Sequence, residues 1–225
     1  MSKKIVALGG GRYSNGEIQN VFDYIVSLAE KEKPSVVFLP TAGHDNIEGD
    51  EDIQMCFENS GISDYMILFL TDKSLTREYI RDTILGADII YVGGGNVQFM
   101  MDTWNETGAS EYLIEAYEAG KVMSGYSAGA DCWFRESYDD CGENGEFVFV
   151  DCLDILPYCA CPHFESGNWQ NFKEEIKNRP VSGYAMENGA ALIVIDGEYS
   201  VMCGNEGGDV WFFDRENGFK GSVVG

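Results

Sequence analysis

The chain has 225 residues, 44% of them hydrophobic, enough to bury a sizeable core, which excludes a disordered chain. Lys and Arg total 15 against 38 Asp and Glu, and the resulting net charge of −23 repels phosphate backbones and anionic headgroups, so neither nucleic acid nor a membrane is an expected partner. The seven cysteines are odd in number and scattered, which fits reduced thiols, and the apolar run Ile5-Val6-Ala7-Leu8 is too short for a signal-peptide core or a membrane span, so a cytoplasmic location is expected.

In chain order, apolar β-prone runs at 4–9, 35–40, 66–70, 87–92 and 121–124 read as parallel strands covered on both faces. Between the first two, Ile18, Val21, Phe22, Ile25, Val26 and Ala29 keep helical spacing until Lys33 and Pro34 end it. Similar helices are expected at about 51–60, 75–85, 96–106, 109–119 and 128–138. From about residue 155 the pattern changes to short strands. Residues 191–195 and 200–202 around Asp196-Gly197 read as a hairpin, and 209–213 as a last strand. With no linker or repeat, a single α/β domain over 1–225 is expected, a three-layer α/β/α sandwich around a mostly parallel sheet.

The segment Gly125-Tyr126-Ser127-Ala128-Gly129 follows a strand and opens a helix, the context of a nucleophile elbow. A helix N-terminus there brings backbone N–H groups beside the Ser127 hydroxyl, where an oxyanion would develop. A serine needs a base, and the chain holds only two histidines, His44 and His163, each expected in a loop after a strand. The acids between Ser127 and His163 that could orient an imidazole number eight, and spacing does not choose among them. A second glycine turn, Gly93-Gly94-Gly95-Asn96, allows close backbone approach to a substrate; an N–H of Gly94 or Gly95 could join that of Ala128 as oxyanion donor, with Asn96 in the same substrate-binding turn, and the alternative is a tight turn with Asn96 as helix N-cap, which does not exclude the first role. Gly9-Gly10-Gly11 fits neither a dinucleotide fingerprint nor a phosphate loop, and no cofactor is expected. Cys159, Cys161 and His163 alternate and could share a strand face with Cys152 nearby, but no Cys-x-x-Cys pair supports a zinc site, so no metal is expected.

Taken together, Gly93-Gly94-Gly95-Asn96, Gly125-Tyr126-Ser127-Ala128-Gly129-Ala130 and Cys161-Pro162-His163-Phe164 resemble the dipeptidase E (aspartyl dipeptidase) family of serine peptidases, related to cyanophycinase, over nearly the whole chain. The resemblance implies a flavodoxin-like fold similar to class I glutamine amidotransferases, Ser127 as nucleophile and His163 as base. Cys132-Trp133-Phe134 resembles an uncharacterised branch in which an aspartate follows, which implies Asp140 as the orienting acid, with Asp139 and Glu136 as fallbacks. Aspartyl-specific members carry an arginine downstream of the histidine. Here residues 165–172 hold no cation before Lys173, which puts aspartyl specificity in doubt. The expected substrate is a short peptide, with Trp169, Phe172 or Tyr126 lining an uncharged pocket and homodimerisation left open. A non-catalytic small-molecule binder on the same scaffold and an esterase or other amidohydrolase are the alternatives.

Overall fold

Alternation within the strands decides which side chains face which layer. The computed structural model describes residues 1–14, 16–205 and 207–224. In β1 (Lys4–Leu8), Ile5 and Ala7 enter one apolar cluster while Val6 and Leu8 enter another, on the opposite face. The same division holds in β2 (Ser35–Leu39), between Val37 and Leu39 on one side and Val36 and Phe38 on the other. Of the helices that follow these strands, α1 (Gln19–Ser27) and α2 (Glu51–Asn59) supply Val21, Phe22, Ile25, Ile53 and Phe57 to the second cluster. After β3 (Asp64–Ile67), the opposite face is covered by α3 (Arg77–Gly86) and, following β4 (Ile89–Val92), by α4 (Val97–Thr107) and α5 (Ala109–Glu118). Thr76 and Asn96 cap α3 and α4, their side-chain oxygens accepting from the N–H groups of Tyr79 at 3.1 Å and Phe99 at 2.8 Å. Asn96 thus has the capping role its position suggests.

The chain then enters β5 (Val122–Tyr126), which lies between β1 and β4, and makes the one-turn helix α6 (Ala128–Asp131). Beyond it come β6 (Phe134–Asp139), β7 (Val148–Asp151), β8 (Leu156–Cys161), α7 (Phe172–Glu175), β9 (Gly183–Met186), the hairpin of β10 (Ala190–Ile195) and β11 (Glu198–Cys203), β12 (Val210–Asp214) and β13 (Lys220–Val223). The first sheet has the order β11-β10-β1-β5-β4-β2-β3, parallel from β1 to β3, with the antiparallel hairpin added at one side.

Two expectations are corrected here. The expected helix over 128–138 stops at Asp131, and residues 134–139 form a strand instead. The reason is long-range: the Leu153 and Leu156 N–H groups donate to Cys132 and Trp133 carbonyls, and β6 then pairs with both β7 and β8. Local periodicity carries no trace of such partners. The single sheet is also incomplete as a description, because a second one exists, ordered β13-β12-β9-β8-β6-β7, with β6, β8 and β9 parallel and the outer strands antiparallel. The fold is α/β with two mixed sheets. Leu156, Ala160, Tyr184, Met186 and Val210 of the second sheet share a buried cluster with Leu192 and Val194 of β10, which seats the two sheets against each other. Among the described residues no helix is long and apolar enough to cross a membrane.

Candidate active site

The elbow is built by two close approaches. Gly125 and Gly129 pack so tightly against β4 that a methyl group on either would strike the Val92 carbonyl, so the turn between β5 and α6 accepts no side chain at those positions. Ser127 between them adopts φ 53°, ψ −123°, a backbone region that L-residues rarely occupy. Its N–H donates to Leu8 O at 3.0 Å and its carbonyl accepts from Ala130 at 2.8 Å, which anchors the turn to β1 and starts α6. Gly94 lies directly against this residue, its missing Cβ being 3.2 Å from the Ser127 Cβ. The Gly94 N–H faces the Tyr126 hydroxyl. Among the described residues, the N–H groups of Gly94, Gly95 and Ala128 donate no hydrogen bond to a main-chain acceptor.

Past β8 the chain turns at His163, which has φ 51° and donates its N–H to Gly9 O at 3.1 Å. The ring reaches Ser127 with Nε2 2.8 Å from Oγ. On the other side Nδ1 lies 2.7 Å from Asn188 Oδ1, a residue of the connection between β9 and β10. Asp140, the acid expected to orient the ring, does not reach it. It is exposed, one residue past β6, on the wall of the cleft over Ser127, whereas Nδ1 faces Gly10 and Asn188. The fallback acids are engaged elsewhere: Asp139 is buried beside Cys141, and Glu136 is held by Arg179 and the Cys159 thiol. His44 is exposed, its ring tilted against that of Phe99 with centroids 3.8 Å apart, and takes no part in the pair. Cys159 and Cys161 pack in an apolar cluster with Phe164, Phe172 and Phe213, and among the described residues no group of metal-ligating side chains converges.

A cleft of about 430 Å³ opens over Ser127, lined by Gly95, Asn96, Asp139, Asp140, Cys141, His163 and Trp169. Its wall is acidic. Asp139 is only 2% exposed, its Oδ1 has no hydrogen-bond partner among the described residues, and burial raises its carboxyl from 3.8 to about 6, with Asp140 adding to the effect. The sign follows from linkage. Below about pH 4 the group is neutral in both folded and unfolded chains; between there and about pH 6 the unfolded chain ionises first, and stability falls as pH rises. Asp139→Asn is therefore expected to stabilise the protein near neutral pH by up to about 3 kcal/mol and to leave it unchanged at the acid end. Urea unfolding midpoints of both proteins at the two pH values read this directly, and an equal difference at both would contradict it.

The chain as a whole is similar to known proteins. The model of Peptidase family S51 matches residues 5–202. The chain belongs to peptidase family S51. It is 33% identical to an uncharacterised peptidase, YgaJ, of Bacillus subtilis over 86% of this chain and 84% of that one. It is 23% identical to peptidase E of Haemophilus influenzae, over 85% and 87%. The crystal structure of a peptidase from an acI-B1 Actinobacterium superposes with a TM-score of 0.74 at 16% identity, covering all of this chain and 94% of the other, and so shares the fold.

Two residues of this S51 chain's site escape sequence reasoning. Asn188 carries no charge and lies 25 positions beyond His163, outside the stretch between Ser127 and His163 that holds the eight candidate acids. Gly10 belongs to the glycine run that carries no nucleotide signature. Its φ is +146°, and a Cβ there would sit 2.6 Å from His163 Nδ1 and against Asn188 Oδ1. The run's one available signal was its place at the end of a central strand.

Proposed function

We propose that this S51 peptidase is a serine enzyme that hydrolyses short peptides, dipeptides among them, through an acyl-enzyme on Ser127. The observation that carries the reading is the 2.8 Å approach of His163 Nε2 to Ser127 Oγ at a strained turn. As Oγ attacks the peptide carbonyl carbon, its proton passes to His163 Nε2 and the carbonyl electron pair moves onto oxygen. The N–H groups of Ala128 and of Gly94 or Gly95 would hold that oxyanion, each worth roughly a hundred- to thousandfold in rate. His163 then gives its proton to the departing amine as the C–N bond breaks, leaving an ester on Ser127. Water attacks that ester, its proton returning through His163 to Oγ as the acid product leaves. Asn188 Oδ1 accepts from Nδ1–H throughout, the part asparagine plays in Cys-His-Asn proteases.

Substrate choice follows from charge. Among the described residues, the lining of the cleft over Ser127 includes Asp139 and Asp140 and no lysine or arginine, and Arg12 lines the adjoining cavity that shares His163, so an acidic side chain seated in the cleft over Ser127 meets repulsion, while neutral residues and a free N-terminal ammonium fit. Peptide mixtures with aspartyl, neutral and basic N-termini, incubated with wild type and with Ser127→Ala and compared by mass spectrometry, test this. Neutral or basic members should disappear with wild type alone. Identical mixtures would remove the peptidase reading, and exclusive loss of aspartyl peptides would overturn the specificity.

A further inference from the structure

An asparagine at the third position creates a problem that a carboxylate does not have. Both oxygens of an aspartate or glutamate accept, so either edge serves the imidazole Nδ1–H. An amide has one accepting and one donating end, and the wrong end selects the wrong histidine tautomer. With the amide NH₂ towards Nδ1, that nitrogen must be bare and Nε2 must carry the proton. Nε2 then has no lone pair for the Ser127 hydroxyl.

The protein holds the amide in one sense. Glu165, two residues after His163, accepts from the Asn188 main-chain N–H through Oε2 at 2.9 Å and from the Asn188 side-chain Nδ2 through Oε1. One carboxylate thus takes both donors of one residue, so Oδ1 is the end left for His163, 2.7 Å away. Ser166 Oγ donates to Oε1 at 3.2 Å and the Gln170 amide donates to the Glu165 carbonyl at 3.2 Å, fixing the loop that carries it. Gly10, lacking a side chain, leaves room for the pair. We infer that Glu165 is a positioning residue that locks the Asn188 amide and thereby the Nδ1–H tautomer of His163. It also places a negative charge one residue behind the ring, where an imidazolium forms during turnover. The catalytic consequence rests on the acyl-enzyme reading above, but the tautomer does not.

Two measurements test the inference, one of them independent of any substrate. With only two histidines in the chain, ¹⁵N-histidine NMR at mildly alkaline pH resolves His163 from His44, a His44→Gln sample supplying the assignment. Wild type should show the Nδ1–H form, and Glu165→Ala a shift towards Nε2–H. An unchanged Nδ1–H signal in Glu165→Ala, or an Nε2–H signal in wild type, would overturn the proposal even if Ser127 proves to be the nucleophile.

The second is a kinetic cycle on whichever peptide wild type consumes, or on fluorophosphonate labelling of Ser127. Glu165→Ala should lower kcat about 10- to 100-fold with KM little changed. In an Asn188→Asp background, where both side-chain ends accept, the same change should cost no more than about twofold. Glu165→Gln keeps one accepting atom and should fall between. Equal losses in both backgrounds would mean that Glu165 only supports the loop. Wild type that neither labels nor turns over would instead remove the acyl-enzyme reading and leave the NMR result to decide the positioning role.

Discussion

Ser127→Ala is expected to lower peptide turnover by about four to six orders of magnitude while leaving the fold intact. The change removes one oxygen atom, the one that lies 2.8 Å from His163 Nε2, and an alanine meets the same φ of 53° that the serine already tolerates. The elbow's other supports, the bonds from Ser127 N–H to Leu8 and from Ala130 to the Ser127 carbonyl, are main-chain bonds and survive. Activity and stability should therefore separate: a thermal midpoint near that of wild type, no covalent adduct with a fluorophosphonate by intact mass, and no peptide consumption. His44→Ala, which alters an exposed ring on Phe99, should retain both labelling and turnover. Labelling of Ser127→Ala to the wild-type extent would move the nucleophile elsewhere.

The second large effect is expected at a residue with no functional group. Gly10→Ala puts a methyl where the Asn188 amide oxygen and the imidazole of His163 now meet, at a φ of +146° that an L-residue rarely adopts. Relief requires His163 or Asn188 to move by an ångström or more, and displacements of that size at a reacting group lower rates about a hundredfold or more. The Gly10 carbonyl also accepts from Gly189 at 2.9 Å, so strain at this point passes directly to the connection that carries Asn188. The measurement is kcat/KM with the fold monitored by near-ultraviolet circular dichroism. A native spectrum with activity within about twofold of wild type would show that the close packing at Gly10 is not needed for turnover.

How much of this was legible in the residues depends on the range of the interactions. The parallel strands and the helices around them announce themselves because each is amphipathic or apolar over its own length, and β3 differs only by starting at Asp64 while Leu68 and Leu70 pack just beyond its end. The elbow is legible for the same reason, since both glycines, the serine and the strand before them lie within nine residues. The second sheet is not. Phe134 to Asp139 follows directly on a helical turn, and its strand character comes from partners at 148–151 and 156–160. The orienting residue hides for a chemical reason. A search for an acid passes over Asn188, whose suitability comes from a carboxylate two residues past the histidine, so that the charge and the accepting atom are divided between Glu165 and Asn188.

Ser127 follows a strand of the first sheet, His163 follows a strand of the second, and Asn188 lies on the connection between them. The distance that matters to chemistry is therefore a measure of how two separately hydrogen-bonded slabs are seated, fastened near the site by the bond from His163 N–H to Gly9 O at the end of β1. A displacement at their boundary that left each ladder intact would still part Ser127 from His163. On heating or in denaturant, loss of peptide turnover is therefore expected to precede loss of the far-ultraviolet circular dichroism signal.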